Sequence, residues 1–230
     1  MEAESVEGAP THGHAPHRVE GPLPFDVTRW AVESLNRENE TMKLGFIRHG
    51  QTNWNAEGRL QGSSDIPLND VGRQQARDAV AVLGAGTWDA IVSSPLSRAR
   101  ETAEIIAAGL GIELGRSYDE LIERDYGQAE GMTDEEWEKL WPNKAGGGIE
   151  ALDSVVSRGK TAIEKIAADF PGRNVAVVCH GTIIRYTLSA LAGIQFDSIL
   201  NGSVSLLDNE EGPWKVRSVN GETVGTPLTR

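Results

Sequence analysis

Cysteine is almost missing from this 230-residue chain; Cys179 is the only one. A single thiol cannot close an internal disulfide, and Cys-based zinc or iron–sulfur frameworks are excluded with it. Positive charge is also scarce: 22 Lys and Arg stand against 34 Asp and Glu, a formal net charge of −12. Such a surface does not attract phosphate backbones or anionic headgroups, so neither nucleic acid nor a membrane is an expected partner. No run of about 18 apolar residues is present, so no helix that spans a bilayer is expected. The start, Met1 to Ser5, has no basic and then apolar leader, so no secretory signal is visible and the expected compartment is the cytoplasm. What remains is a chain 39% apolar and 24% charged, long enough to bury a core.

The chain divides by composition. Residues 1–41 are expected to be an N-terminal extension, largely disordered, because residues 1–24 carry almost nothing large and apolar. His12, His14 and His17 lie there and read as a solvated tail rather than a metal site. A short helix over 26–40 is suggested by Val27, Trp30, Ala31 and Leu35 at helical spacing after Asp26. From residue 42 onward strands and helices alternate. Lys43–Ile47, Ala90–Val92 and Asn174–Cys179 read as buried strands. Val71–Leu83, a stretch from Pro95 to about Ala108, a segment around Trp137–Leu140, residues 150–169 and Thr182–Leu191 read as helices. Ser203–Leu207 and Trp214–Val216 read as an antiparallel pair. This alternation predicts one α/β domain over 42–218, a three-layer α/β/α sandwich on a mostly parallel sheet, with a tail from 219 to 230.

In such sheets ligands gather beyond the carboxyl ends of the strands. Arg48-His49-Gly50 follows the first strand, Ser93–Arg98 the second, and His180-Gly181-Thr182 the late one. Each of these residues has an ordinary reading: a capping histidine, a surface arginine, a helix arginine. Both histidines outside the extension, however, sit at strand ends just before a glycine. With Arg48 and Arg98 they make a basic focus in an acidic protein. A neutral imidazole among guanidinium groups suits attack on a phosphoryl group.

The segment Leu44–Asn55, with Arg48-His49-Gly50 at its centre, resembles the signature of the histidine phosphatase superfamily, which includes the cofactor-dependent phosphoglycerate mutases. Further segments match the same pattern in order: Arg59–Gly62 with Pro67–Ala76, Ser93–Ala103, Leu121–Gly127 and Val178–Arg185. The resemblance implies a phosphoglycerate mutase-like fold and a phosphomonoester hydrolase of histidine acid phosphatase type, acting on a small phosphorylated metabolite without metal or cofactor. It implies that His49 is the nucleophile that becomes phosphorylated. It implies that Arg48, Arg98 and His180 hold the phosphate, with Asn55 donating a further hydrogen bond, and that Glu123 gives a proton to the leaving oxygen and then takes one from water. Gln61, Gly62 and Thr182 are implied to border the substrate, Thr182 through its backbone amide.

Three rivals stand beside that reading. Cys179 and Arg185 satisfy the C-x5-R spacing of cysteine-dependent phosphatases, although Cys179 lies inside an apolar run where a thiol is usually a buried hydrophobe. A phosphoglycerate mutase is the second. Mutases resembling this family carry a long insertion before the second histidine, where this chain has only residues 124–179. They show His where Asp125 stands and a Gly-Trp-x-Asp pattern where this chain has Gly62-Ser63-Ser64-Asp65. The third is a non-catalytic module that binds a phosphorylated ligand. The substrate itself is not spelled out; its specificity surface is expected from residues 128–150, including the Ala145–Gly148 loop, with the N-terminal segment open as a further contributor. Oligomeric state is not legible, and a homo-oligomer stays open.

Overall fold

The computed structural model describes residues 41–84, 88–144 and 146–225. The N-terminal extension with its three histidines and its expected helix over 26–40 lies outside the described residues, as does Ala145.

Among the described residues seven strands form one sheet: β1 (Lys43–Arg48), β2 (Ala90–Ser93), β3 (Leu114–Ser117), β4 (Val175–Cys179), β5 (Val204–Asp208), β6 (Lys215–Val219) and β7 (Glu222–Thr223), in the order β3-β2-β4-β1-β5-β6-β7. The β3-β2-β4-β1 half is parallel, and β5, β6 and β7 continue it antiparallel. The parallel core matches the expectation. The sheet runs on to Thr223, however, past residue 218 where the domain was expected to end, and Val219 is buried against the core. β3 was not anticipated. Its Leu-Gly-Arg-Ser sequence is poor in β-branched residues, and it is an edge strand fixed by its neighbour rather than by its own propensity.

Alternation along β1 and β4 makes the sandwich. Leu44, Phe46, Val175, Val177 and Cys179 pack on one face. There they meet Val155, Ile163 and Ile166 of α5 (Leu152–Asp169) and Ile183, Ile184 and Leu188 of α6 (Gly181–Ala192). Ile47, Ala176 and Val178 point the other way. Their partners are Ala79 and Leu83 of α2 (Asp70–Leu83) and Ala99, Ala103 and Ile106 of α3 (Ser97–Leu110). A strand apolar on both faces must be covered on both faces, which is why the helices split between two layers. Each fully buried Val, Leu or Ile among them contributes roughly 1.5–3 kcal/mol, and each alanine less.

The helix starts are chemically specified. The Asn69 side chain accepts from Gly72 N at 2.9 Å to cap α2. Thr133 and Glu136 form a capping box on α4 (Asp134–Leu140). A short helix, α1 (Asn53–Ala56), is capped likewise by Thr52 and Asn55. Pro95 does not occupy the first turn of α3 as expected. Leu96 is the cap residue and the helix opens at Ser97, so Pro95 belongs to the turn after β2.

Candidate active site

The hydrogen-bond ladder does not stop where the strands do. His49 N donates to Cys179 O at 2.9 Å, and Ser94 N donates to Val178 O at 2.9 Å. These two bonds carry the register one residue beyond β1 and β2 and draw His49, Ser94 and His180 together. Gly50 is required by the same crossing. A Cβ there would meet the carbonyl of Gly72 at 2.2 Å, where the start of α2 presses on the turn.

His49 is buried, and its Nδ1 lies 2.7 Å from the Gly50 carbonyl. A carbonyl only accepts, so Nδ1 carries the proton and Nε2 keeps its lone pair. Arg98 Nε donates to that Nε2 at 3.3 Å. Burial, then Arg98, then Arg48 hold the His49 pKa well below its ordinary 6.5. Desolvation and nearby cations both disfavour an imidazolium, so the ring is neutral. His180 ends β4, with its ring centroid 5.1 Å from that of His49, and its Nε2 is 2.7 Å from Ser94 Oγ. Its pKa is likewise well below 6.5, by burial first and then Arg98, His49 and Arg48.

Arg98 is fully buried, a position that costs several kcal/mol for an unsatisfied cation. Its Nη1 and Nη2 donate to the carbonyls of Ser64 and Gly62 at 2.7 and 2.8 Å. Arg48 Nη1 donates to Ile199 O at 2.5 Å, while its Nε is buried with no partner among the described residues. Desolvation weakens the hold of both arginines on their protons; Glu123 opposes that at each.

Glu123 is buried, which removes its ordinary reading as a surface carboxylate. It accepts from three backbone amides: Arg124 N at 2.8 Å, Thr182 N at 3.0 Å and Ile183 N at 3.2 Å. The carboxylate therefore caps α6, whose own cap residue, His180, makes no side-chain cap bond. This corrects the expected role of Thr182. Its amide is committed to Glu123 rather than offered to a substrate, and its hydroxyl lies 2.7 Å from Tyr126 OH. Beneath Glu123, Arg158 donates to the carbonyls of Glu120 and Ile122 at 2.8 Å each and pairs with Glu150. Sequence spacing gave no sign of that support.

Asn55 Oδ1 accepts from Thr52 N and from Asn201 Nδ2, both at 3.2 Å. Asn201 also donates to His49 O at 2.9 Å, so it ties Asn55 to the backbone of His49. Gln61 Oε1 accepts from Thr52 Oγ1 at 2.7 Å. Arg48, His49, Asn55, Gln61, Gly62, Arg98, Glu123 and Thr182 all line one cavity of about 340 Å³; His180 lies behind His49 and does not line it. Arg59, Leu60, Arg124, Tyr126, Asp134, Trp137, Gly181, Arg185, Tyr186, Ser198 and Ile199 complete the walls, and apart from Asp134 and Trp137 sequence reasoning assigned none of them to the substrate surface. Asp134 and Trp137 lie within the expected 128–150 surface. Gly146–Gly148 do not line the cavity; Gly147 O instead accepts from Gln128 N at 2.9 Å.

Cys179 faces the core between the sheet and α5 and α6, and does not line the cavity. Burial pushes its thiol pKa up, the reverse of what a thiolate nucleophile needs. Among the described residues no group of three or more His, Cys, Asp or Glu stands where it could hold a metal ion, and no helix is long and apolar enough to cross a membrane.

Two buried imidazoles thus stand together beyond the central parallel strands, one presenting Nε2 to a buried arginine. The family model for the histidine phosphatase superfamily, branch 1, matches residues 44–222. The chain belongs to the histidine phosphatase superfamily. It is 36% identical over 179 residues to "Uncharacterized phosphatase PhoE" of Bacillus subtilis, covering 76% of this chain and 92% of that protein. It is 36% identical over 192 residues to "Phosphoglycerate mutase-like protein 4" of Arabidopsis thaliana, covering 76% and 83%. Among solved structures, a mycobacterial glucosyl-3-phosphoglycerate phosphatase complexed with VO3 is similar with a TM-score of 0.70 at 29% identity, covering 77% of this chain and 98% of that one. Within this superfamily the fold here is the phosphoglycerate mutase-like sandwich, with its strand-end motifs at the carboxyl ends of the parallel strands, where α/β sheets in general gather ligands.

Proposed function

We propose that this superfamily member is a phosphomonoesterase that works through a phosphohistidine at His49 on a small phosphorylated metabolite. The observation that carries the reading is the tautomer of His49. Nδ1 is tied to Gly50 O at 2.7 Å, and Nε2 lies unprotonated beside a buried guanidinium in a cavity also lined by Arg48 and Glu123. In the first step Nε2 attacks phosphorus, an N–P bond forms and the ester P–O bond breaks. The departing alkoxide takes the proton of the Glu123 carboxyl. In the second step water attacks phosphorus, Glu123 takes its proton, the N–P bond breaks and phosphate leaves. Arg48 and Arg98 neutralise charge growing on the phosphoryl oxygens, a contribution of roughly 10²–10³ in rate for each well-placed donor. Ser94 Oγ holds the His180 ring through Nε2, and Asn55 turns its amide NH₂ toward the phosphate because its oxygen is already taken.

Relatives named as phosphatases and as probable mutases keep a phosphoglycerate mutase as the second reading. The two differ in what 2,3-bisphosphoglycerate does: a mutase requires it for turnover, a phosphatase at most consumes it. The deciding experiment is brief incubation with a radiolabelled phosphomonoester followed by denaturation. Label on protein that survives alkali, is lost in acid and is absent from His49→Ala is expected. Turnover with no such label would sink the phosphohistidine.

A further inference from the structure

Accepting that reading of the site, we infer that Glu130 is a positioning residue for Arg98, acting through the Gly62–Ser64 loop that grips the guanidinium. Glu130 is half-buried and outside the cavity wall. Its Oε1 accepts from Ser63 N at 2.8 Å and Ser63 Oγ at 3.1 Å; its Oε2 accepts from Ser64 N at 2.9 Å and from Ser64 Oγ. One carboxylate thus accepts from the amide and hydroxyl of two consecutive serines, sharing the Ser64 amide with Gln61 O at 3.0 Å. The strands of chain on either side are laced together as well: Gly131 N donates to Leu60 O at 2.7 Å and Leu60 N to Met132 O at 2.9 Å. The loop bends at Gly62, where φ is 54° and a Cβ would lie 2.0 Å from Glu130 Oε1, so the carboxylate sits directly against the turn.

The far side of the same loop holds Arg98. Gly62 O and Ser64 O accept from Nη2 and Nη1, which fixes the plane of the guanidinium and aims Nε at His49 Nε2. The next residue, Asp65, accepts from Ser97 N at 2.8 Å and Ser97 Oγ at 2.7 Å, so the loop is also fastened to the start of the helix that carries Arg98. This layering has a chemical purpose. A carboxylate paired directly with Arg98 would orient it equally well but would occupy the cation that a phosphoryl anion needs. Backbone carbonyls orient it without a full negative charge, and the charge that stiffens those carbonyls is kept one layer away. A carboxylate serving only as a surface staple would have no reason to organise the two carbonyls that Arg98 uses.

The test is a double-mutant cycle in the full chain. It comprises wild type, Glu130→Gln, Arg98→Lys and the double variant, each assayed for p-nitrophenyl phosphate turnover and for orthovanadate binding by calorimetry. Gln keeps the shape but turns an NH₂ toward serine donors, so Glu130→Gln should lower kcat and weaken orthovanadate by roughly 10- to 100-fold. In the Arg98→Lys background the same change should cost no more than about twofold, because coupled residues are not additive. Glu130→Asp, which keeps both acceptors, should recover part of the loss. Ser64→Ala, a milder change where folding is a concern, should act in the same direction and be equally silent in the Arg98→Lys background. Equal losses in both backgrounds, or an unchanged vanadate affinity in Glu130→Gln, would overturn the inference. A wild-type protein that binds orthovanadate but hydrolyses no phosphomonoester would overturn the phosphatase reading alone, since the binding cycle still decides on Glu130.

Discussion

The inner end of the cavity and its mouth are assembled differently. At the inner end His49 follows β1 and Arg98 comes from the first turn of α3, while His180, which follows β4, packs against His49 without lining the cavity; all three are almost wholly buried. Their positions follow from a continuous ladder and a packed core, and burial together with mutual charge shifts their pKa values. At the mouth Arg59, Arg124, Asp134, Arg185 and Tyr186 are half-buried or exposed and come from loops and helix surfaces. Arg124 and Arg185 donate to the carbonyls of Glu150 and Phe196, and Arg59 to Gly131 O and to the exposed Glu57 carboxylate. A chemistry common to many substrates belongs where the scaffold is stiff. Recognition of one substrate belongs where side chains can change at little cost to the fold.

Substitutions at the two ends should therefore give different signatures. Glu123→Gln should produce the largest change, slowing hydrolysis of alkyl phosphates by about 10²–10⁴-fold. Turnover of p-nitrophenyl phosphate, whose leaving group needs no proton, should suffer far less. Comparing the two substrates by phosphate release tests this, and equal losses would remove Glu123 from the acid role.

The pH profile comes next in size. His49 acts when neutral and its pKa lies well below 6.5, so the acid limb of kcat/KM should lie below the ordinary imidazole range. Stability carries the opposite sign of benefit. Both buried histidines are neutral when folded and bind protons more readily when unfolded. The melting temperature should therefore fall as pH drops below about 6.5, where the unfolded state takes up more protons. A melting point unchanged from pH 7 to pH 5 would contradict that assignment.

Arg185→Ala samples the mouth. It should shift KM by about three- to tenfold, with a size that depends on the phosphomonoester, while kcat on p-nitrophenyl phosphate stays within about twofold. A kcat collapse would show that the mouth is part of the machinery. Cys179→Ser should be the mildest for catalysis, leaving turnover intact while lowering stability by about 1–3 kcal/mol, the cost of a hydroxyl buried among apolar side chains. Loss of activity in a folded Cys179→Ser protein would reopen the thiolate mechanism.

How much was legible in the sequence differs along the same line. Arg48, His49, Arg98 and His180 are legible because each sits at a strand end or helix start, whereas Glu123 is legible only through the resemblance of the Leu121–Gly127 segment to the family pattern. The strands themselves announce their ends by a run of apolar residues followed by glycine or serine. Asn201 was not named, since it reaches His49 O from 152 residues away along the chain. Thr182 was named for the wrong partner. The local pattern predicts an open helix N-terminus, and only the fold brings a carboxylate 59 residues distant onto its amide.

The sequence by itself determined the alternation of buried strands and amphipathic helices, the two-sided burial of β1 and β4, and the chemical types gathered at the strand ends. These are periodic or local properties, written in side chains within one or two turns of each other. Tertiary structure alone decided that Glu123 caps α6, that Cys179 faces the core, that Arg59 and Arg185 share a wall, and that Glu130 stands behind the loop holding Arg98. Each of those depends on which face of one element meets which face of another. That is set by the summed packing of the whole core, and no residue carries it in its own neighbourhood of the chain.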